Sequence, residues 1–512
     1  MAAERPLEPR SLWVETTRET TYPELAGPVD VDVAVVGAGI AGITAAFLLK
    51  RAGKSVALLD SKRILHGATG YTTAKITAAH GITYTTVAER FGEEGARTYA
   101  AANRAALEFI ATTVEEHEIE CEFERRPNYV YAESPDERSA VEAEVEAARR
   151  AGLAAELVVE TPLPYPIECA FRLPNQAQFH PRKYLLALAE EVEGDGSHVL
   201  ELTRVLDVEA EGSARVVTDR GPLTARDVVL ATHLPILDRG LFFAKAHPGR
   251  SYAVACRVTD AADPQGMYIN VGDPTRSVRT ARDEHGLLLV LSGEGHKPGR
   301  ERDTGARYRA LEEFGRRHWE TEAFPYRWST QDYSPVDGVP YVGRLTRRSE
   351  HVYVATGFKK WGMTNGTAAG MILADLIVGR ANPWASLFDA KRVKPLASAR
   401  TFVKENASVA KHFVGDRLNR ADVLLDELGP GEGGLVKVDG RKTAAYRDEA
   451  GRLHALSPVC THLGCHVAWN RAERSWDCPC HGSRFSGEGR VIQGPATRDL
   501  TRRDIDEDGR RG

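Results

Sequence analysis

The sequence predicts an α/β domain built on a buried parallel sheet, an α+β region inserted into it, and a small all-β unit at the C-terminal end. Three observations carry this. The Val-rich run Val31 to Val36 passes through a glycine turn into a helical pattern ending near Arg51, and such an apolar run marks a strand buried on both faces. The middle of the chain mixes strand-like and helix-like patterns. From Gly429 onward only short strands and turns can be read, and four of the seven cysteines crowd there between Cys460 and Cys480.

The elements follow in order. Residues 1–30 carry Pro6, Pro9, Pro23 and Pro28 and read as a polar arm on the surface. After the first strand, turn and helix, Ser55 to Leu59 is a second buried strand, closed by Asp60. Residues 90–160 read as mostly helical, with a charged, solvated helix over Asp136 to Arg150. Leu202 to Thr232 turns to strands, with Gly212 and Gly221 at turns. Residues 250–335 mix strands with one helix, Arg307 to Trp319. Val352 to Thr356 is another buried strand, and Gly366 to Val378 a helix stopped by Gly379. The predicted division is an arm (1–30), a main domain (31–385) with its inserted region at roughly 90–200 and 240–335, a polar helical connector (386–425), and a C-terminal domain (426–512). The Gly-rich loop Gly429 to Gly434 marks the last boundary.

Composition narrows the function. The 512 residues are 42% hydrophobic and 27% charged, with a net charge of −5, an ordinary globular balance. That charge argues against a main task of gripping nucleic acid, and no polybasic patch is offered to a membrane. The first residues lack the basic start and apolar run of a secretory signal, and Val33 to Leu49 is too short and Gly-rich for a membrane span. A soluble, cytoplasmic protein without a transmembrane segment is expected. Clustered cysteines in such a chain point to a metal site rather than a secreted disulfide framework.

Gly37-Ala-Gly39-Ile-Ala-Gly42 follows a buried strand and opens a helix, the context in which a Gly-x-Gly-x-x-Gly motif binds a dinucleotide in a Rossmann-like fold. Gly37 permits the tight turn, Gly39 lets the backbone approach a pyrophosphate, and Gly42 lets helix and strand pack closely. The helix N-terminus offers its amides and positive dipole end to phosphate, and Asp60 stands where an acid accepts from ribose hydroxyls.

Further segments resemble the flavin-dependent D-amino-acid-oxidase-like superfamily: Gly67 to Lys75, Val228 to Thr232, Asp337 to Gly343, and Ala355 to Phe358 with Gly362-Met-Thr364. The resemblance covers roughly residues 31–385 and implies FAD, held by Gly37, Gly39, Gly42, Asp60, Thr73, Thr232, Gly343, Gly357, Gly362 and Thr364. It also implies that the helix starting near Thr364 points its N-terminus at the flavin, where its dipole stabilises an anionic reduced ring. No second Gly-x-Gly-x-x-Gly stands between a buried strand and a helix, as NAD(P)H binding would need, which speaks against direct use of nicotinamide.

Near the C-terminus, Cys460-Thr-His462-Leu-Gly-Cys465 and Cys478-Pro-Cys480-His481-Gly-Ser483 form two boxes. Two thiolates and two imidazoles in paired loops can bind zinc. The boxes closely resemble those of Rieske [2Fe–2S] domains, in which two cysteines hold one iron and two histidines the other. The resemblance assigns Cys460 and Cys478 to the first iron and His462 and His481 to the second. It leaves Cys465 and Cys480 as the loop-tying disulfide of the high-potential members. Ser483 keeps the family hydroxyl. Phe485 stands where respiratory members carry Tyr, so one hydrogen-bond donor is missing. A potential within roughly −150 to +300 mV, below its top, follows. Gly494-Pro-Ala496 resembles the loop that covers the cluster.

Two such cofactors link a two-electron oxidation to one-electron steps. The expected function is FAD-dependent oxidation of a small amine, amino acid or related metabolite, with electrons leaving through the cluster to a protein or quinone. The reverse direction and a non-enzymatic electron-transfer or redox-sensing role are the alternatives. A Rieske oxygenase would need a further iron on two His and a carboxylate, and no such set stands out. Candidate catalytic residues are Lys75, His180 and Tyr252, with Arg250, Trp328 and His80 as further pocket candidates. The family's substrate-carboxylate Arg has no matching position. Cys121, Cys169 and Cys256 read as buried thiols.

Overall fold

The computed structural model describes residues 9–211, 213–301, 303–393 and 423–503. The expected connector falls largely at 394–422, outside the described residues.

The first layer is an eight-stranded sheet. Strand Asp30–Val36 lies between Val56–Leu59 and Gly221–Leu230, parallel to both. Val352–Thr356 pairs parallel with Gly221–Leu230 on its other side. Val33 to Val36 and Val56 to Leu59 are buried on both faces, as expected where helices cover a parallel sheet. Helix Ile40–Arg51 packs against helix Gly362–Ile377, which begins four residues before the sequence pattern suggests.

The second layer is a nine-stranded sheet. Its edge strand is Tyr326–Pro335, paired antiparallel with Ala246–Arg257. The region around residues 90–160 holds helices Tyr84–Glu116 and Pro135–Arg150, but between them runs strand Glu124–Ala132, paired with Cys169–Gln178. Its sequence, ERRPNYVYA, starts with charge and Pro, which hides the strand pattern of its buried second half.

The arm departs from expectation. Leu12 and Trp13 are buried in the main core, Ser11 Oγ donates to the Gly70 carbonyl (2.5 Å) and Trp13 Nε1 to that of Thr72 (2.7 Å). Truncating so buried a Trp costs about 3–5 kcal/mol, so the stretch from Ser11 to Trp13 is part of the fold.

The C-terminal unit stacks a three-stranded sheet, Gly433–Val438, Arg441–Arg447 and Leu453–Leu456, beside a four-stranded one from Ala468–Asn470 to Val491–Gln493. Its core gathers Trp476, Phe485 and Leu456 around the cysteines. No helix among the described residues is long and apolar enough to cross a membrane.

Candidate functional site

At the glycine turn, Gly37 adopts φ +104, a conformation that favours glycine. A Cβ at Gly42 would collide with the Gly37 carbonyl oxygen, so helix and strand can meet only without one. Asp60 braces the turn: its carboxylate accepts from the Ala38 amide (3.0 Å) and the Lys62 amide (2.9 Å). Burial raises its pKa.

Above the turn opens a cavity of about 620 Å³. Of the ten residues expected to hold a dinucleotide, Gly37, Gly39, Asp60, Thr73, Thr232 and Gly362 line it. The other four do not line it. Gly42 packs under the turn, Gly343 pairs with Val354, Gly357 turns against Pro335, and Thr364 Oγ1 donates to the Thr77 carbonyl (3.0 Å). A helix N-terminus at Gly39, whose N-cap glycine brings no side chain of its own, a glycine cradle and an acid at the strand end fit FAD.

The second sheet roofs this cavity. Lys75 lines it, with Nζ donating to the Tyr268 carbonyl (2.7 Å). Burial, aided by the nearby Arg279 charge, lowers its pKa to about 7. Tyr252 lines it too, its hydroxyl 2.9 Å from His296 Nε2. Trp328 is a buried wall residue whose Nε1 donates to the Tyr71 carbonyl (3.0 Å). His180 is not among the lining residues. It caps helix Pro181–Val192, accepting from the Lys183 amide (3.3 Å), and lies 3.0 Å from Thr16 Oγ1. Burial lowers its pKa to about 3. His80 is likewise internal, bonded to Tyr99 (2.7 Å) and stacked on Trp361. Arg250 is buried, is not among the lining residues, and is held by Glu473 and Ser329. Two lining residues escaped sequence reasoning: Lys360, which stands exposed in the cavity, and Ser251, whose buried hydroxyl has no partner among the described residues. Their signal was a strand and a turn already singled out, with nothing to tell which side chains face inward.

In the C-terminal unit, Cys460 and Cys478 are buried free thiols, and Cys465 is bridged to Cys480 (Cα–Cα 6.5 Å). The Cys478 sulfur lies within 4.8 Å of both sulfurs of that bridge. A hydrogen bond from the Cys478 thiol, helped by the His462 amide and the Ser483 hydroxyl, outweighs burial and lowers the Cys460 pKa to about 7. The rings of His462 and His481 meet edge to face at 5.1 Å. Burial and the neighbouring His462 lower the His481 pKa to about 3, the neutral state a ligand needs. His462 Nδ1 is buried without a partner among the described residues, while Nε2 contacts Asp238 Oδ1 at 2.9 Å. Since Nε2–H donates to the carboxylate, Nδ1 carries the lone pair. Two adjacent thiols and two adjacent imidazoles, one with an orphaned nitrogen, fit a [2Fe–2S] cluster at these four residues.

The two sites share an interface. Tyr333 Oη donates to the His481 carbonyl (2.8 Å), and Gln331 Nε2 to that of Gly482 (2.8 Å). Gln493 Nε2 lies 3.3 Å from His233 Nδ1, and Arg204 donates to the Val491 carbonyl (3.2 Å). Glu473 reaches across to Arg250. Gln331 and His233 from the main domain, and Glu473, Arg484, Gln493 and Ala496 from the C-terminal unit, line one and the same cavity.

Comparison with known proteins agrees with both domains. A family model described as FAD dependent oxidoreductase matches residues 32–376, and one described as Rieske [2Fe-2S] domain matches residues 422–503. The chain is 36% identical over 500 residues, 97% of its length and 98% of the relative's, to a Bacillus subtilis (strain 168) protein described as a Rieske 2Fe-2S iron-sulfur protein, YhfW. It is 40% identical over 106 residues to the chloroplastic cytochrome b6-f complex iron-sulfur subunit of Arabidopsis thaliana, covering 20% of this chain and 46% of that one. Among solved structures, glycine oxidase from Geobacillus kaustophilus matches with a TM-score of 0.60 at 17% identity, covering 71% of this chain and 99% of that one.

Proposed function

The chain belongs to the FAD-dependent oxidoreductases with a C-terminal Rieske [2Fe–2S] domain, and we propose that it oxidises a small amine or amino acid and passes the electrons singly through its own cluster. Bound FAD takes two electrons from a C–H or N–H bond, and the cluster carries one at a time. The proposed division is residues 31–385 for FAD and substrate and 426–512 for the cluster, joined by 386–425.

The observation that carries this reading is the shared cavity, lined by residues of both domains and joined to the second cluster box through Gln331, which lines it and donates to the Gly482 carbonyl. Electrons need not leave the molecule between the two sites. The chain's own residues supply the rest. Lys75, whose pKa burial lowers to about 7, is able to lose its proton near neutral pH and to take the proton of a substrate ammonium, leaving the amine ready for oxidation. Lys360 and Ser251 offer a cation and a hydroxyl to a substrate carboxylate. They take the place of an Arg, because Arg250 is held by Glu473. Arg279 is held by the carbonyls of Ala74 and Phe179. Tyr252 closes the same wall. Glu473, Gln493 and Ala496 of the Rieske domain wall the cavity from the other side.

The test is anaerobic mixing with a panel of amines and amino acids. Loss of the flavin's visible absorbance should be followed by the electron paramagnetic resonance signal of the reduced cluster. Lys360→Ala should raise KM for acids and leave neutral amines unaffected. If no metabolite bleaches the flavin but a reduced carrier does, electrons run the other way. If nothing turns over, the electron-transfer role replaces the enzyme.

A further inference from the structure

The imidazole edge of a Rieske cluster is where its ligands meet their surroundings. Here that edge faces the FAD domain. One loop, His233 to Phe243, makes the contact. It starts at the cavity, which His233 and Ile236 line, and ends against the cluster boxes. Asp238 accepts from His462 Nε2 at 2.9 Å. The Phe243 ring stands edge-on to both histidines, at 6.1 and 5.4 Å between centroids. From the neighbouring strand, Tyr333 and Gln331 grip the carbonyls of His481 and Gly482. The His462 ring is largely shielded while the Asp238 side chain is 45% exposed, so the carboxylate reaches in from the seam.

We propose that Asp238 is a positioning residue supplied by the FAD domain to the cluster: it fixes the tautomer and orientation of His462 and thereby sets the cluster's potential as long as the two domains are docked. A carboxylate on the outer nitrogen of a metal-bound imidazole raises the ligand's basicity. It also adds negative charge beside the iron. Both effects favour the oxidised, more positive cluster, so Asp238 lowers the midpoint potential. The consequence is reciprocal. If docking lowers the potential, reduction of the cluster must weaken docking by the same factor. The domain that delivers the electron thus loosens its hold on the reduced product.

The inference rests on the cluster and on the docked arrangement, and not on the substrate class. Its test is a redox titration of the full-length, cluster-loaded protein, read by electron paramagnetic resonance, for wild type, Asp238→Asn and Asp238→Ala. The expected result is a rise in midpoint for Asp238→Ala of about 59 mV, one tenfold change in a one-electron equilibrium. Asp238→Asn keeps an acceptor but loses the charge, so its rise should be smaller, and both should alter the g values. Asp195→Asn, at an exposed turn, should leave both readings unchanged. Loss of the cluster from Asp238→Asn with FAD retained also supports the positioning role, since only a charge has been removed. A loaded Asp238→Ala protein with wild-type g values and a shift below threefold in the equilibrium overturns it. A wild-type protein without any cluster signal defeats the family reading instead.

Discussion

Glutamate 473 holds the two domains together, and its neutralisation is the most informative perturbation. Its carboxylate accepts from Arg250, from Arg484 (2.7 Å), from Ser329, and from Tyr308 (3.2 Å). The side chains of Glu473 and Arg250 are 8% and 1% exposed. Burial alone would raise the Glu473 pKa, but the two guanidinium groups outweigh it and lower it. In Glu473→Gln, Arg484 keeps Asp477 at 2.9 Å. Arg250 loses its only ionic partner among the described residues. Breaking a buried pair from one side costs about 3–5 kcal/mol. At 1.36 kcal/mol per tenfold, docking should weaken by roughly 10²- to 10⁴-fold. Two assays read this: denaturant unfolding followed separately through flavin fluorescence and cluster circular dichroism, and the rate of cluster reduction after the flavin is reduced. The wild type should lose both signals together, whereas the variant should lose cluster dichroism at lower denaturant and slow its internal transfer. Arg250→Gln with Glu473→Gln should recover much of the loss, because the stranded charge is then gone. Coincident unfolding and an unchanged rate in Glu473→Gln would refute the reasoning.

Three further outcomes are expected. Below pH 7, kcat/KM should fall about tenfold per pH unit as Lys75 gains its proton, and level off above; Lys75→Met should flatten that profile and lower activity by about 10²–10⁴-fold, and an unshifted profile would remove the lysine from the chemistry. Phe485→Tyr should raise the cluster midpoint by adding a donor in the buried core around the cysteines, and an unchanged or lower value would contradict this. Cys465→Ser with Cys480→Ser should destabilise the Rieske unit by about 3 kcal/mol, the closure entropy for a loop of 15 residues, seen as an earlier unfolding transition of the cluster unit.

Local chemistry was legible in the sequence. Gly37 to Gly42 and the boxes from Cys460 to Ser483 work through spacing along a few residues, and the structure brings each set together at one site. The first strand was read from its continuous run of valines, and the structure buries them. What was hidden depends on distant partners. Arg250 and Glu473 are 223 residues apart, Asp238 and His462 are 224, and Tyr333 and His481 are 148. No periodicity links such pairs. His180 illustrates the converse error: a histidine before a proline is also a helix cap, and only the direction of its ring distinguishes the two roles. Trp13 was missed for a similar reason, since one aromatic in a polar, Pro-rich arm carries no pattern.

The central claim is that flavin and cluster exchange electrons within one molecule. It is tested most directly by photoreducing the bound flavin anaerobically and timing the appearance of the reduced cluster at several protein concentrations. The account predicts a first-order rate that does not change with concentration. A rate proportional to concentration, or a flavin that stays reduced beside an oxidised cluster, would contradict it.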